Sequence, residues 1–186
     1  MSHKNNKISV FGNSINSQKL KPISPYSKRK LICEKLLQMY SKKNKISYKI
    51  LRFYSVYGNG LKKQLLWDTC QKIKKKDYEF FGTGNEIRSW MHIDDFCNIL
   101  LKILKIKNLK KKIYNFCGTQ IIENKKLLSI FFNIYGVKSK PNFNMIKNRG
   151  NPDFMYTKKC DLKIIKYRQK PKLMDGIRSY IKWKKK

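Results

Sequence analysis

The segment SPYSKRK places Tyr26 and Lys30 four residues apart, at the predicted start of a helix. Positions i and i+4 share one face of an α-helix, so the phenol and the ammonium are expected to project together. An adjacent ammonium stabilises a phenolate, and such a couple can move a proton to or from a sugar hydroxyl while a nicotinamide takes the hydride. Chance pairs are common among 11 tyrosines and 44 lysines and arginines, so the spacing alone is a weak signal.

Strand and helix patterns alternate around this couple. An apolar run ending at Gly12 is typical of a strand and turn. Ser24 is a suitable N-cap for a helix that has Pro25 at its first position and ends near Lys43. Further along, the periodicity predicts, in order, the β-rich segment SYKILRFYSVYG, a helix over 61–76, the strand YEFFGTG, the helix HIDDFCNILLKILK, the strand KIYNFCG and the helix ENKKLLSIFFNIYG. This alternation predicts an α/β fold with a largely parallel sheet.

Three polar residues at the start of HIDDFCNILLKILK are expected to have structural roles. Asp94 or Asp95 is predicted to cap the helix, since a carboxylate satisfies the free N–H groups of a first helical turn. His92 is predicted to be a packed or hydrogen-bonded residue rather than a base or metal ligand, because no second ligand stands at a metal spacing. We therefore expect no metal site.

The composition is strongly basic. The 186 residues carry a formal net charge of +33, and only six of the 44 basic residues are arginine. A charge of this size can indicate a polyanion partner such as RNA. However, the chain has no alanine, and its lysines are spread along its whole length, as expected when a coding sequence drifts toward A and T. Nucleic-acid binding is thus the second-ranked interpretation.

The five cysteines are far apart in the sequence, with no CxxC pair, which favours reduced thiols over a disulfide framework. The sequence contains no signal-peptide pattern and no apolar run long enough to span a bilayer. We expect a soluble, cytoplasmic protein without a membrane partner.

Seven segments occur in an order that resembles a known family: ISVFG, SPYSKRK, LRFYSVYGNG, FFGTGNEIRSWMHIDD, IYNFCG, RGNPD and DGIRSYIKW. Together they are similar to the NAD-dependent nucleotide-sugar epimerases and dehydratases, which are extended short-chain dehydrogenases/reductases of the UDP-glucose 4-epimerase type. SPYSKRK resembles the YxxxK helix of this family, and GNEIRSWMHIDD resembles its more specific Arg-aromatic-x-His-x-x-Asp segment. The resemblance extends from about Ile8 to the C-terminus.

The resemblance implies roles for individual residues. Tyr26 would be the catalytic acid/base, and Lys30 would hold the nicotinamide ribose and tune the tyrosine, so that both contact NAD. Arg88 and Arg149 would bind the substrate diphosphate, for which a planar fork of donors suits paired phosphate oxygens. The other implied substrate contacts are Ser55 at the nucleotide, Phe81 at the uracil ring, and Leu65 and Leu66 at the border of the substrate.

The chain also departs from the family pattern. The glycine-rich front half, which holds the cofactor pyrophosphate in this family, is absent. Lys7 stands where the family keeps a catalytic serine or threonine. The resemblance therefore implies the C-terminal part of a Rossmann-type parallel sheet plus a smaller α/β substrate-binding region. We assign residues 1–57 to the remainder of the dinucleotide-binding domain and 58–186 mainly to the substrate region, with the return of 94–136 to the main sheet as an alternative.

The expected function is that of the C-terminal portion of an epimerase or dehydratase, with a UDP-hexose as substrate and no turnover by this chain alone. The partners implied are the nucleotide sugar and either a homodimer partner or a chain that supplies the missing front half. A decayed remnant and a non-catalytic partner of a full-length homologue are the alternatives. The identity of the sugar, epimerisation versus dehydration, and NAD versus NADP stay open.

Overall fold

The computed structural model describes residues 22, 24–146, 150–157, 160–170 and 172–185. Helices and short strands alternate along these residues. The helices are α1 (Pro25–Asn44), α2 (Gln64–Lys74), α3 (Ile93–Lys105), α4 (Asn124–Tyr135) and α5 (Leu173–Lys185). The strands are β1 (Ile50–Phe53), β2 (Ser55–Tyr57), β3 (Glu79–Phe80), β4 (Ile87–His92), β5 (Ile113–Phe116), β6 (Gln120–Glu123), β7 (Asn142–Phe143) and β8 (Phe154–Met155). The strand predicted to end at Gly12 lies outside the described residues.

Among the described residues, the strands form three small sheets. β1 pairs in parallel with β5, and β3 pairs in parallel with β7. In the third sheet β4 is central: it pairs in parallel with β2 and β8 and antiparallel with β6. Most of the strand pairs are parallel and alternate with helices, so the predicted α/β fold class is confirmed. The division of the chain at residue 57 stays a prediction.

Helix α1 begins where the sequence predicts. The Ser24 side chain accepts from the backbone N–H of Ser27, the Ser27 hydroxyl lies 3.0 Å from the backbone nitrogen of Ser24, and Pro25 occupies the first turn. This reciprocal capping box satisfies two otherwise unpaired donors. The helix ends at Lys45, which adopts the left-handed conformation with φ of 53°.

Most of α1 is exposed, including its large apolar side chains. Its buried residues are two serines, Ser27 and Ser41. The exposed apolar residues of this helix are Tyr26, Ile32, Leu36, Leu37, Met39 and Tyr40. A helix with this many unburied apolar side chains is typical of an element that packs against a further structural layer.

Helix α3 is capped by His92, so the prediction of a cap at Asp94 or Asp95 is wrong. His92 is 6% exposed, and its Nδ1 accepts from the backbone N–H of Asp94 at 3.3 Å. Asp95 is buried in the first turn, where its Oδ1 accepts from the hydroxyl of Tyr167 at 2.7 Å and the backbone N–H of Lys170 at 3.2 Å. The expectation that His92 is packed and hydrogen-bonded is confirmed, since its imidazole does the capping.

Two apolar cores support the sheets. The larger one joins α2, α4 and α5, with Leu127, Leu128, Phe131 and Ile177 fully buried. The smaller one lies around β5 and α3 and includes Tyr114, Phe116, Ile99 and Ile165.

At Gly118, the segment that follows β5 passes close to the backbone of strand β4. A Cβ at this position would lie 1.7 Å from the carbonyl oxygen of Trp90 and 2.2 Å from its carbonyl carbon. No side chain fits at that separation, so glycine is required for the segment after β5 to approach the backbone of β4.

Candidate functional site

Five of the predicted site residues line one cavity of about 850 Å³: Tyr26, Ser55, Leu65, Phe81 and Arg88. They come from different elements. Tyr26 lies in the first turn of α1, Ser55 begins β2, and Arg88 lies on β4. The volume is within the usual range for a small-molecule site. Tertiary folding therefore brings together residues that are up to 62 positions apart.

The Tyr26 and Lys30 side chains lie together on α1, as the spacing predicts. The Lys30 ammonium nitrogen is 5.5 Å from the centroid of the Tyr26 ring, and the tyrosine is 62% exposed. A cation at this distance from an aromatic face is attracted to the ring. Tyr26 borders the cavity, whereas Lys30 is exposed on the helix beside it. The catalytic and cofactor roles of this couple stay predictions.

Arg88 is buried and held by the chain segment that follows Gly150. One of its terminal nitrogens donates to the carbonyl oxygens of Ile87 at 3.0 Å and Asp153 at 3.3 Å, and the other donates to Asn151 Oδ1 at 2.8 Å. Burial lowers the pKa of the Arg88 guanidinium, against the opposing effect of the negative charges of Glu86 and Asp153. The charge is thus poorly solvated, and an anion in the cavity would stabilise it.

Glu86 provides a second buried charge next to Arg88. It is 5% exposed, and Oε1 accepts from the backbone N–H of Thr83 at 2.9 Å and from the Thr83 hydroxyl at 3.2 Å. Burial raises the pKa of Glu86, but the hydrogen bonds from Thr83 and the charge of Arg88 outweigh it and leave this pKa below its ordinary value. Glu86 is therefore a carboxylate that stabilises the turn before β4.

The other predicted site residues lie in different environments. Phe81 is 71% exposed at the rim of the cavity, where an aromatic face is open to a ligand. Leu66 is 1% exposed and belongs to the larger apolar core, on the buried side of α2. Arg149 lies outside the described residues, so its predicted role in binding the diphosphate stays a prediction.

Sequence reasoning missed two residues that shape this site. Asn151 holds the Arg88 guanidinium and belongs to the RGNPD motif, in which only Arg149 was predicted to bind substrate. Gln64 lines the cavity as the first residue of α2 with φ of 69°, a conformation that non-glycine residues rarely adopt. Backbone strain of this kind is often found at functional sites. No sequence pattern predicted the positive φ of Gln64.

Two absences hold for the described part of the chain. No group of three or more histidine, cysteine, aspartate or glutamate side chains is placed to hold a metal ion. No helix there is both long and apolar enough to cross a bilayer.

The fold is shared by solved structures of sugar-nucleotide enzymes. The chain superposes on UDP-glucuronic acid 4-epimerase from Bacillus cereus, solved in complex with UDP-glucuronic acid and NAD, with a TM-score of 0.81 and 23% identity. It superposes equally well on the dTDP-glucose 4,6-dehydratase DesIV from Streptomyces venezuelae, solved with NAD and TYD, with a TM-score of 0.81 and 21% identity. The matches cover 95% of this chain but 59% and 57% of those chains. These similarities show that the chain has a Rossmann-type α/β fold.

The family follows from the sequence comparison. The model of the NAD dependent epimerase/dehydratase family matches residues 4–117, and the chain belongs to this family. It is also 27% identical over 165 residues to the uncharacterized UDP-glucose epimerase YtcB of Bacillus subtilis (strain 168). That match covers 87% of this chain and 52% of the relative, so the chain spans about half the length of the curated protein. The family resemblance inferred from the motifs is confirmed.

Proposed function

We propose that this chain is the substrate-binding portion of an NAD-dependent nucleotide-sugar epimerase or dehydratase, with a UDP-hexose as substrate. The observation that carries the proposal is the single cavity that gathers Tyr26, Ser55, Leu65, Phe81 and Arg88. An anion-binding guanidinium, an exposed aromatic ring and a phenol thus face one volume. This combination suits a ligand that contains a diphosphate, a planar base and a sugar hydroxyl.

Arg88 is proposed to bind the diphosphate. Its charge is buried, and Asn151 and the carbonyl of Asp153 hold its guanidinium in one orientation. A preorganised, poorly solvated cation gains more from an anion than an exposed lysine does, because less water must be displaced. Phe81 is proposed to pack against the base from the rim of the cavity.

Tyr26 and Lys30 fit the nicotinamide end of NAD. The ammonium lies beside the phenol ring, and both groups are exposed to a ligand. NAD, when bound, accepts a hydride from the sugar and returns it. Tyr26 would take the proton of the sugar hydroxyl as that carbon is oxidised, and Lys30 would hold the ribose. No glycine-rich loop for the pyrophosphate is present among the described residues.

We propose that turnover requires the front half of the fold in addition to these 186 residues. Two observations support this requirement. About two-fifths of each matched structure lies outside the part that this chain covers, and the apolar side chains of α1, including Ile32, Leu36 and Met39, are exposed. With NAD added, the chain alone is expected not to interconvert UDP-glucose and UDP-galactose. Interconversion by the purified 186-residue protein would refute this part of the proposal.

Calorimetric titration with UDP tests the binding function. We expect UDP to bind the chain and to bind Arg88→Ala at least about tenfold more weakly, since the variant lacks a charge-assisted contact. Arg178→Ala is the matched control, because Arg178 is exposed on α5 and pairs with Asp175. Circular dichroism of each variant separates loss of binding from loss of folding.

Two outcomes would contradict the proposal. One is equal UDP affinity of the wild type and a folded Arg88→Ala variant. The other is the absence of UDP binding by a cooperatively folded wild type, together with RNA binding that weakens steeply as salt increases. The second outcome would favour the basic polyanion-binding interpretation.

A further inference from the structure

Cys117 and Cys160 are in contact, although 43 positions separate them in the sequence. The backbone N–H of Cys117 donates to Cys160 Sγ at 3.2 Å, and Cys160 Sγ lies 3.5 Å from the carbonyl oxygen of Cys117. Cys117 Sγ lies 3.6 Å from the carbonyl oxygen of Thr157. Both cysteines are free thiols in the structure.

The neighbours of the two cysteines hold them in place. Asp161, directly after Cys160, accepts from the backbone N–H of Asn115 at 2.8 Å and from the Lys111 ammonium at 2.7 Å. Asn115 lies on β5, two residues before Cys117. The segment that carries Cys160 is thus fastened to the strand that leads into Cys117, and this keeps the two cysteines in contact.

We propose that Cys117 and Cys160 form a reversible intramolecular disulfide when the protein meets a peroxide, and that this pair is a redox-modification site. Cys160 is the attacking thiol, since it is partly exposed whereas Cys117 is 4% exposed. The inference rests on the thiol pair alone and is independent of the proposed sugar-nucleotide function.

The pKa shifts of the two thiols are consistent with Cys160 as the thiol that attacks first. The hydrogen-bonding contact with the Cys117 thiol, aided by backbone N–H groups and opposed by burial, lowers the pKa of Cys160 below its ordinary value. The same contact, together with burial, raises the pKa of Cys117. Of the two sulfurs, Cys160 is therefore the one with more thiolate character, and the thiolate is the nucleophilic form.

The reaction balances with one equivalent of hydrogen peroxide. The Cys160 thiolate attacks a peroxide oxygen, the O–O bond breaks, and one water leaves with formation of a sulfenic acid. The Cys117 sulfur then attacks Cys160 Sγ, the S–O bond breaks, and a second water leaves as the disulfide forms. Both thiols lose their protons, and the peroxide takes up the two electrons.

Peptide mapping tests the site directly. The full chain is treated with hydrogen peroxide, the remaining thiols are alkylated, and the digest is searched by mass spectrometry for a Cys117–Cys160 crosslink. We expect this crosslink at stoichiometric peroxide, its loss on treatment with dithiothreitol, and alkylated Cys33 and Cys97. A 43-residue closed loop restricts the unfolded chain, so the oxidised protein is expected to melt roughly 5–10 °C higher than the reduced protein.

The controls separate this pair from other thiol chemistry. Cys160→Ser removes the attacking sulfur, and it is expected to abolish the crosslink and the peroxide-dependent melting shift. Cys97→Ser changes an exposed thiol on α3 and should retain both. Two results would overturn the proposal. One is oxidation of Cys160 to sulfinic acid without a Cys117–Cys160 crosslink, and the other is the formation of intermolecular crosslinks through Cys33 and Cys97 instead of this crosslink. Peptide mapping of the peroxide-treated wild-type protein tests the proposal even if the Cys160→Ser variant does not fold.

Discussion

Arg52 and Glu34 form a bidentate ion pair between β1 and α1. Arg52 Nε donates to one carboxylate oxygen of Glu34 at 2.8 Å, and a terminal nitrogen donates to the other at 2.5 Å. The side chains are 8% and 13% exposed. The Arg52 guanidinium thus joins the helix that carries Tyr26 to the neighbouring strand.

Loss of one partner of this pair should destabilise the protein. Arg52→Ala leaves the Glu34 carboxylate nearly buried without its cation, and we expect a decrease of about 3 kcal/mol in the free energy of unfolding. Urea denaturation measures the effect, with Arg29→Ala on the exposed side of α1 as the control. In a double-mutant cycle, Arg52→Ala should cost much less in a Glu34→Ala background. Additive losses would show that the pair contributes little.

The close approach at Gly118 gives a second prediction. A methyl group there meets the backbone of Trp90 and not a flexible side chain, so Gly118→Ala should destabilise the protein by roughly 3 kcal/mol. Gly136 is a matched control, because a Cβ there has open space and only its φ of 90° is unfavourable. We expect Gly136→Ala to cost about 1 kcal/mol. Thermal unfolding of both variants measures these losses of stability. Equal losses in the two variants would contradict the steric argument.

Stability at alkaline pH should depend on Tyr167. Burial, with the hydrogen bond to Asp95 and its negative charge, raises the pKa of Tyr167 to about 12 from 10.0. A raised folded-state pKa means that the folded protein keeps this proton while the unfolded chain loses it. The stabilisation is complete below pH 10 and is lost as pH rises through 12.

Comparison with Tyr167→Phe isolates this contribution from the titration of the many lysines. The variant is expected to be less stable than the wild type by roughly 1 kcal/mol at pH 8, where the hydroxyl bonds to Asp95. The difference should shrink between pH 10 and 12. Urea denaturation across this range measures it, and a constant difference would rule out the linkage.

The capping box of α1 gives a local prediction. Ser24→Ala removes the acceptor for the Ser27 N–H, so the first turn, which carries Tyr26, should open more readily by about 1 kcal/mol. This corresponds to roughly fivefold faster amide hydrogen exchange at Ser27. Ser24→Asp keeps an acceptor and should retain slow exchange. Equal exchange in the alanine and aspartate variants would refute the role of the cap.

Several features of this protein could be predicted from the sequence because their causes are local. The start of α1 follows from Ser24 and Pro25, whose side chain and ring act within one helical turn. The proximity of Tyr26 and Lys30 follows from helical periodicity. The alternation of strand and helix indicated an α/β fold, and the order of short motifs indicated the family.

Other features depend on contacts between distant segments, which no local pattern encodes. His92 caps α3 in place of the aspartates, because β4 delivers its imidazole into the core with Nδ1 facing the helix. Asn151 reaches Arg88 across 63 positions, and Cys160 reaches Cys117 across 43. The sequence alone determined where α1 begins, that strands and helices alternate, and to which family the chain belongs, whereas the central strand β4 was not predicted. The tertiary structure decided which side chains meet. Several partners are chemically suitable for each polar or thiol group, and only burial and packing select one of them.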